Sequence, residues 1–309
     1  IKSLEKAVQR AEKQVEEIIS IPFDKMNTNI TLSIRYYERA LHLADSIEDL
    51  RLQANVYELL GLVNYYKGDY ESSVSNNLKA IDLFESIQLK SRAGNVYATL
   101  GHQMKVRDLP KAMNYMRKGI SLQRAERDTF RLAGSYNNFG WLHQLNHDLD
   151  SALFYYNQGL KITTDLKDSL GMPYSLNSVA GVYLERKQFE KAKTLYDRAF
   201  SIRKVRNDKN GMSENYQFYG DLYYAQNSYN KAAFNYKKSL DLGLEIKYTN
   251  ICFQNASQLA VCFEKMNQLD SALYYQKESN KYKDQLLNET TNNTIASLEI
   301  QFESEKNEK

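Results

Sequence analysis

Residues 57–80 read YELLGLVNYYKGDYESSVSNNLKA, and the plan of this stretch decides the fold. Tyr57 is followed by Leu60 and Gly61, then by a short turn at Gly68-Asp69-Tyr70, then by the small residues Ser73 and Ala80. The plan returns as Tyr136, Phe139, Gly140, His147-Asp148-Leu149, Ala152, Tyr156 and Gly159, and again as Tyr216, Tyr219, Gly220, Asn227-Ser228-Tyr229, Ala232, Tyr236 and Ser239. Working outward, Ser33, Ser73, Ala112, Ala152, Ala192, Ala232 and Ala272 form a column with steps of 40, 39, 40, 40, 40 and 40. The one short step falls at Asp108-Leu109-Pro110, where the turn has a residue fewer. A second small column runs through Gly61, Gly101, Gly140, Ala180, Gly220 and Ala260, and a third through Ala40, Ala80, Gly119, Gly159, Ala199, Ser239 and Ser279. Small residues at these spacings let two helices approach where a large side chain would hold them apart. The unit is a helical hairpin of about 40 residues, stacked about seven times so that each buries its apolar face against its neighbours.

This pattern resembles the tetratricopeptide repeat, whose minimal unit has about 34 residues. Each unit here is about six residues longer, which looks like the longer-helix variant of peptide-sensing regulators and some scaffold proteins. The resemblance covers residues 30–287 and implies an all-α, right-handed superhelical solenoid. The expected organisation is one solenoid over 1–287, irregular in its first repeat over 1–49, then a polar linker and amphipathic helix over 288–309.

Composition excludes several classes. With 41 basic against 38 acidic side chains the formal charge is +3, so the chain carries no global electrostatic footprint for nucleic acid. Thirteen glycines and three prolines leave little material for loops, and no apolar run of about 18 residues could span a membrane. Its two cysteines, Cys252 and Cys262, fall in one predicted helix roughly 15 Å apart, beyond disulfide reach, and read as small buried apolar groups.

The ends depart from the repeat. Leu4, Ala7, Ala11, Val15, Ile18 and Ile19 make a helical stripe that Pro22 interrupts before a longer connection through Phe23-Asp24-Lys25-Met26-Asn27. After the polar run 288–294, Ile295, Leu298 and Phe302 form a narrow stripe suited to capping the array or to pairing with a second copy as a homodimer. Residues 298–306 also resemble the charged helix that joins tetratricopeptide sensor regions to a membrane span in signalling proteins of the Bacteroides group, where a histidine kinase or helix-turn-helix regulator follows. That resemblance implies a periplasmic location with membrane contact only through residues beyond Lys309; the alternatives are a cytoplasmic peptide-responsive regulator and an assembly scaffold.

Catalytic patterns are sparse. His143 and His147, four apart beside Asp148 and Asp150, have a spacing that metals sometimes use, but His143 falls where an aromatic normally packs and His147 in a turn. His42 and His102 have no carboxylate or thiol at motif spacing, and no phosphate loop, nucleophile elbow or zinc-knuckle pattern occurs. The reading is a non-enzyme without metal or cofactor.

Function then rests on surface. In the repeat family the first helix of each hairpin lines the concave face, and carried over hairpin by hairpin this implies a groove of Asn55, Glu58, Leu62 and Tyr65; Asn95 and His102; Asn137, Trp141 and Gln144; Tyr174, Asn177 and Leu184; Gln217, Asp221 and Tyr224; and Gln254, Gln258 and Glu264. Asn and Gln offer a donor and an acceptor to an extended backbone, while Trp141 and the tyrosines offer apolar area with few rotatable bonds. The paired lysines with which some family members hold a C-terminal carboxylate are here Asn, Gln or Glu. The expected partner is a peptide or protein segment docked on the concave face and centred on the third to sixth hairpins, the plain alternative being a generic groove whose Trp141 fills the space between hairpins.

Overall fold

The computed structural model describes residues 2–21 and 30–286, and these are helical throughout apart from short turns. Along the chain run α1 (Lys2–Ile19), α2 (Ile30–Ser46), α3 (Leu50–Lys67), α4 (Tyr70–Ser86), α5 (Lys90–Met104), α6 (Leu109–Ala125) and α7 (Thr129–Leu145). There follow α8 (Leu149–Asp165), α9 (Gly171–Glu185), α10 (Phe189–Val205), α11 (Lys209–Ala225), α12 (Tyr229–Glu245), α13 (Thr249–Lys265) and a last helix, α14, over 269–286. The all-α hairpin repeat is therefore as the sequence predicts. The connection through Phe23 to Asn27 and the tail with Ile295, Leu298 and Phe302 lie outside the described residues.

A 20-residue half-period underlies the 40-residue one. Most helices have 17 residues, and they end with one residue in the left-handed region: Glu48, Gly68, Gln88, Arg127, His147, Lys167, Lys187, Asn207, Asn227, Lys247 and Asn267. The following N–H reaches back to the carbonyl five residues earlier, as Asp69 N–H does to Asn64 at 2.9 Å and Asp148 N–H to His143 at 2.9 Å, which satisfies the exposed helix end. At the short step the Asp108 N–H instead bonds Met104, four residues back, and no left-handed residue is needed. Asp49, Asp69, Asp108, Asp148 and Asp208 then cap the next helix by accepting from the N–H three residues on.

The described residues divide into two compact units, one ending at Asn138 and the other starting at Phe139. In the first, α1 inserts Val15 among Tyr37, Ala40, Ala44, Leu52 and Val56, and the α3 to α5 helices bury Ala54, Ala80, Ile81, Phe84, Val96 and Leu100. The small columns lie at the tightest crossings. A methyl group on Gly119 would stand 2.6 Å from the Gly94 carbonyl oxygen, and one on Gly101 would stand 2.8 Å from that of Ala112. In the second unit, Tyr156, Tyr196 and Tyr236 are buried and two of them pack directly against glycines, Tyr156 against Gly140 and Tyr236 against Gly220. Ala152, Ala180, Ala192, Ala199 and Ala232 are likewise fully buried.

Candidate functional site

Each first helix presents one face at positions such as Asn55, Glu58, Leu62 and Tyr65 on α3, three and four residues apart and hence on one side. In the first unit, α3, α5 and the start of α7 place these faces side by side around a cavity of about 270 Å³. Its lining includes Leu62, Tyr65 and Tyr66 from α3, Asn95, Thr99 and His102 from α5, and Arg131, Ser135 and Asn138 from α7. Four of the sequence-predicted groove residues, Leu62, Tyr65, Asn95 and His102, are thus brought together, with Tyr66 beside Tyr65; Asn137 is half-buried on α7 but does not line the cavity.

The polar wall is organised. Asn95 donates to Glu58 at 2.8 Å, and Arg92 bridges Asn55 at 2.7 Å and Glu58 at 2.6 Å, which fixes these groups at their inter-repeat spacing. Arg131 is held by Asp128 at 2.6 Å, and Asp128 also takes the Ser91 hydroxyl; these bonds, against the opposing effect of burial, hold its carboxyl below the usual range. His102 Nε2 lies 3.0 Å from Lys105 Nζ. Burial first, and the Lys105 charge second, bring the imidazole down to about 4, so it is neutral at physiological pH. The cavity therefore offers neutral donors and acceptors beside tyrosine rings, with one guanidinium at its edge.

In the second unit the predicted groove residues take more structural roles. Asn177 is a correction: it is 7% exposed, and its amide exchanges hydrogen bonds with Asn215 at 3.2 and 3.4 Å, so it ties α9 to α11 and does not face a groove. Gln217 donates to Gln254 at 3.2 Å and links α11 to α13 in the same way. Gln144 accepts the hydroxyl of buried Tyr156 at 2.8 Å and donates to Glu185. Asp221 accepts from buried Tyr236, and burial raises its carboxyl while that hydrogen bond pulls it back. Tyr224 packs edge-on against Tyr229 at 5.5 Å between ring centres. Trp141 is 37% exposed, so part of its ring reaches the surface. Tyr174, 55% exposed, lies with its ring 4.8 Å from the Arg203 guanidinium.

Arg203 is the residue that sequence reasoning missed. It is 1% exposed and lies among Glu214 at 3.0 Å, Asp208 at 3.9 Å, Asn215 at 2.9 Å and the Gly211 carbonyl. The signal was available: the same position is Ala44, Phe84, Gln123 and Thr163 in earlier repeats, all buried. A buried guanidinium survives only with such partners. Arg131, Tyr66, Thr99 and Ser135 of the cavity were missed as well, because they flank the positions carried over from the repeat.

His143 stacks on Tyr155 at 5.2 Å and places Nδ1 3.3 Å from Asp148, while His147 is a left-handed turn residue, so the two histidines serve packing and a cap. Among the described residues no group of three or more His, Cys, Asp or Glu side chains is placed to hold a metal ion. Cys252 and Cys262 are buried free thiols, pushed up to about 11 by burial.

Residues 172–245 match the family model for the tetratricopeptide repeat. No curated protein matches the chain. Among solved structures, the apo form of RapI superposes with a TM-score of 0.73 at 13% identity, covering 90% of this chain and 99% of that one. The Rap conjugation gene regulator of the plasmid pLS20, in complex with the Phr* peptide, gives a TM-score of 0.63 at 20% identity, over 86% of this chain and 72% of that one. Aspartyl phosphate phosphatase F from Bacillus subtilis gives 0.59 at 12% identity, over 80% and 75%. The family model accounts for residues 172–245, and what the solved structures share with the longer stretch of chain is the fold.

Proposed function

We propose that this chain is a non-catalytic binding module of a regulatory protein, and that it takes an extended peptide or protein segment on the first-helix face of residues 55–138. The observation that carries the reading is the cavity in which Asn95 and His102 meet Tyr65, Tyr66, Thr99 and Ser135. Its neutral hydrogen-bonding groups suit a peptide backbone and its rings suit a side chain. The likeness to a Rap regulator solved with a peptide supports the same reading, since the fold that holds that peptide is shared here. The likeness to aspartyl phosphate phosphatase F is one of fold, and the buried carboxylates described above are committed to Arg203 and Tyr236.

A finer reading makes the module the periplasmic sensor of a membrane-anchored signalling protein, supported by the resemblance of residues 298–306 to a juxtamembrane helix. Among the described residues no helix is long and apolar enough to cross a membrane. On this reading the gene encodes about 20 apolar residues beyond Lys309; a stop codon there favours a cytoplasmic regulator or scaffold. The binding claim is tested separately. Peptides selected from a random displayed library on the immobilised protein should lose at least about tenfold in affinity to a Tyr65→Ala, Thr99→Arg double variant. Selected peptides that bind both proteins equally place the site elsewhere.

A further inference from the structure

A second cavity, of about 470 Å³, lies over α11 within the second unit. Its floor is Tyr216, Tyr219 and Tyr223, spaced three and four apart along one face of α11. Lys193 and Asp197 of α10 form one wall, and Lys231, Phe234 and Asn235 of α12 form the other.

Two positions here break the repeat, and a third departs from the tyrosine that most hairpins carry. At the place of Lys193 the other hairpins carry Ile34, Val74, Met113, Leu153, Ala233 and Leu273. At the place of Tyr219 they carry Leu60, Leu100, Phe139, Val179 and Leu259, all buried. The third, at Asn235, is Tyr36, Tyr115, Tyr155 and Tyr275 in four hairpins and Asn76 and Leu195 in two, and the short side chain leaves room over Tyr223. In two other hairpins a second-helix tyrosine stacks on the first-helix aromatic twelve residues earlier: Tyr155 on His143 at 5.2 Å and 21°, and Tyr275 on Phe263 at 5.3 Å and 1°. The residue twelve after Tyr223 is Asn235, whose amide folds back onto the Lys231 carbonyl at 2.8 Å. Among the described residues no ring stacks on Tyr223, and its face meets the Lys231 ammonium at 5.6 Å.

The polar edge of the cavity is equally specific. Asp197 accepts the Tyr219 hydroxyl at 2.7 Å and the Lys193 ammonium at 2.8 Å, so its charge is matched inside the wall. Two lysines against this single carboxylate leave the Lys231 side of the cavity positive. A planar ring laid on Tyr223 fills the place that Tyr155 and Tyr275 fill elsewhere, and an anionic group on that ring meets Lys231. The volume lies in the range of small-molecule sites.

We infer that the cavity over Tyr216, Tyr219 and Tyr223 is a binding site for a small aromatic carboxylate, its ring stacked on Tyr223 and its carboxylate paired with Lys231. This site is distinct from the peptide-binding cavity, since none of its lining residues is shared with α3, α5 or α7. The test uses the full chain labelled with 3-fluorotyrosine and titrated with indole-3-acetate, with indole-3-acetamide and isovalerate as controls. Saturable shifts of the Tyr223 and Tyr219 resonances are expected, with a dissociation constant on the order of 1 mM for a ligand of this size. The amide and the aliphatic acid should bind at least about fivefold more weakly. Asn235→Tyr restores the residue found in other hairpins and should abolish the shifts while keeping the helical circular dichroism of the parent. Equal binding of the amide, equal binding of isovalerate, unaltered shifts in Asn235→Tyr, or no saturation by about 10 mM overturns the proposal.

Discussion

The Tyr236 hydroxyl donates to Asp221 at 2.7 Å, which joins a buried second-helix ring to a residue on the first-helix face. Burial holds the Asp221 carboxyl above its ordinary value of 3.8, so ionising it costs folding stability. The penalty is complete above the raised folded value and absent below 3.8. Asp221→Asn keeps an acceptor for Tyr236 without the charge. The variant should melt at a higher temperature than the parent at pH 7, and the gap should close as the pH falls toward about 4. A pH-independent gap, or a lower melting temperature at pH 7, contradicts this account.

Arg203 has the opposite character, because its charge is enclosed by partners that depend on it. Replacing it by Met leaves Glu214 facing a low-polarity pocket without its guanidinium, and the loss should be about 3 kcal/mol. Urea unfolding measures it. The double variant Arg203→Met, Glu214→Leu should recover more than half of that loss, and failure to recover would show that Arg203 acts through packing on Tyr174 instead.

Two glycines separate close approach from mere flexibility. Gly119→Ala must push its methyl against the Gly94 carbonyl and the Ala98 N–H, both backbone, and should cost about 1 to 3 kcal/mol. Gly181→Ala meets nothing within 4 Å on α9 and should stabilise by about 0.5 to 1 kcal/mol. Gly140→Leu, which meets the Tyr156 ring, should fall with the destabilised class. Thermal melts of equal midpoint for all three would refute the register.

His102 gives a pH signature for the peptide-facing cavity. Its imidazole titrates at about 4 when folded against 6.5 as a model value, so the folded state binds fewer protons in that window. The stability it contributes is whole above pH 6.5 and is lost as the pH falls to about 4. Carbon-13 imidazole shifts should show a midpoint near 4, and His102→Gln should flatten stability between those values. A midpoint near 6.5 would mean the ring is solvent-facing.

The fold was legible because small residues have one use at a helix crossing. Gly94, Gly119 and Gly101 stand where backbones touch, and no partner identity is needed to read that from a period. The turns were legible as well: Asp69, Asp108 and Asp148 lie in turns read from the sequence, and each caps the helix that follows. The site was less legible. Asn177 and Gln217 are expected on the groove face from the repeat, yet their amides are engaged by Asn215 and Gln254, 38 and 37 residues away. Such pairings depend on the angle between neighbouring hairpins, which a column of residue types does not encode. Lys193, Tyr219 and Asn235 show the complementary case, where breaks in a column carry the information and the period hides them.

The central claim is that an extended segment binds the first-helix face of residues 55–138, and its most direct test is photo-crosslinking. With p-benzoylphenylalanine placed at Leu62, or at Val106, which is 85% exposed and outside the cavity, a library-selected peptide is irradiated on each protein. The account predicts a crosslinked product at Leu62 that unlabelled peptide competes away, and none at Val106. Crosslinking at both positions alike, or at Val106 alone, would contradict it.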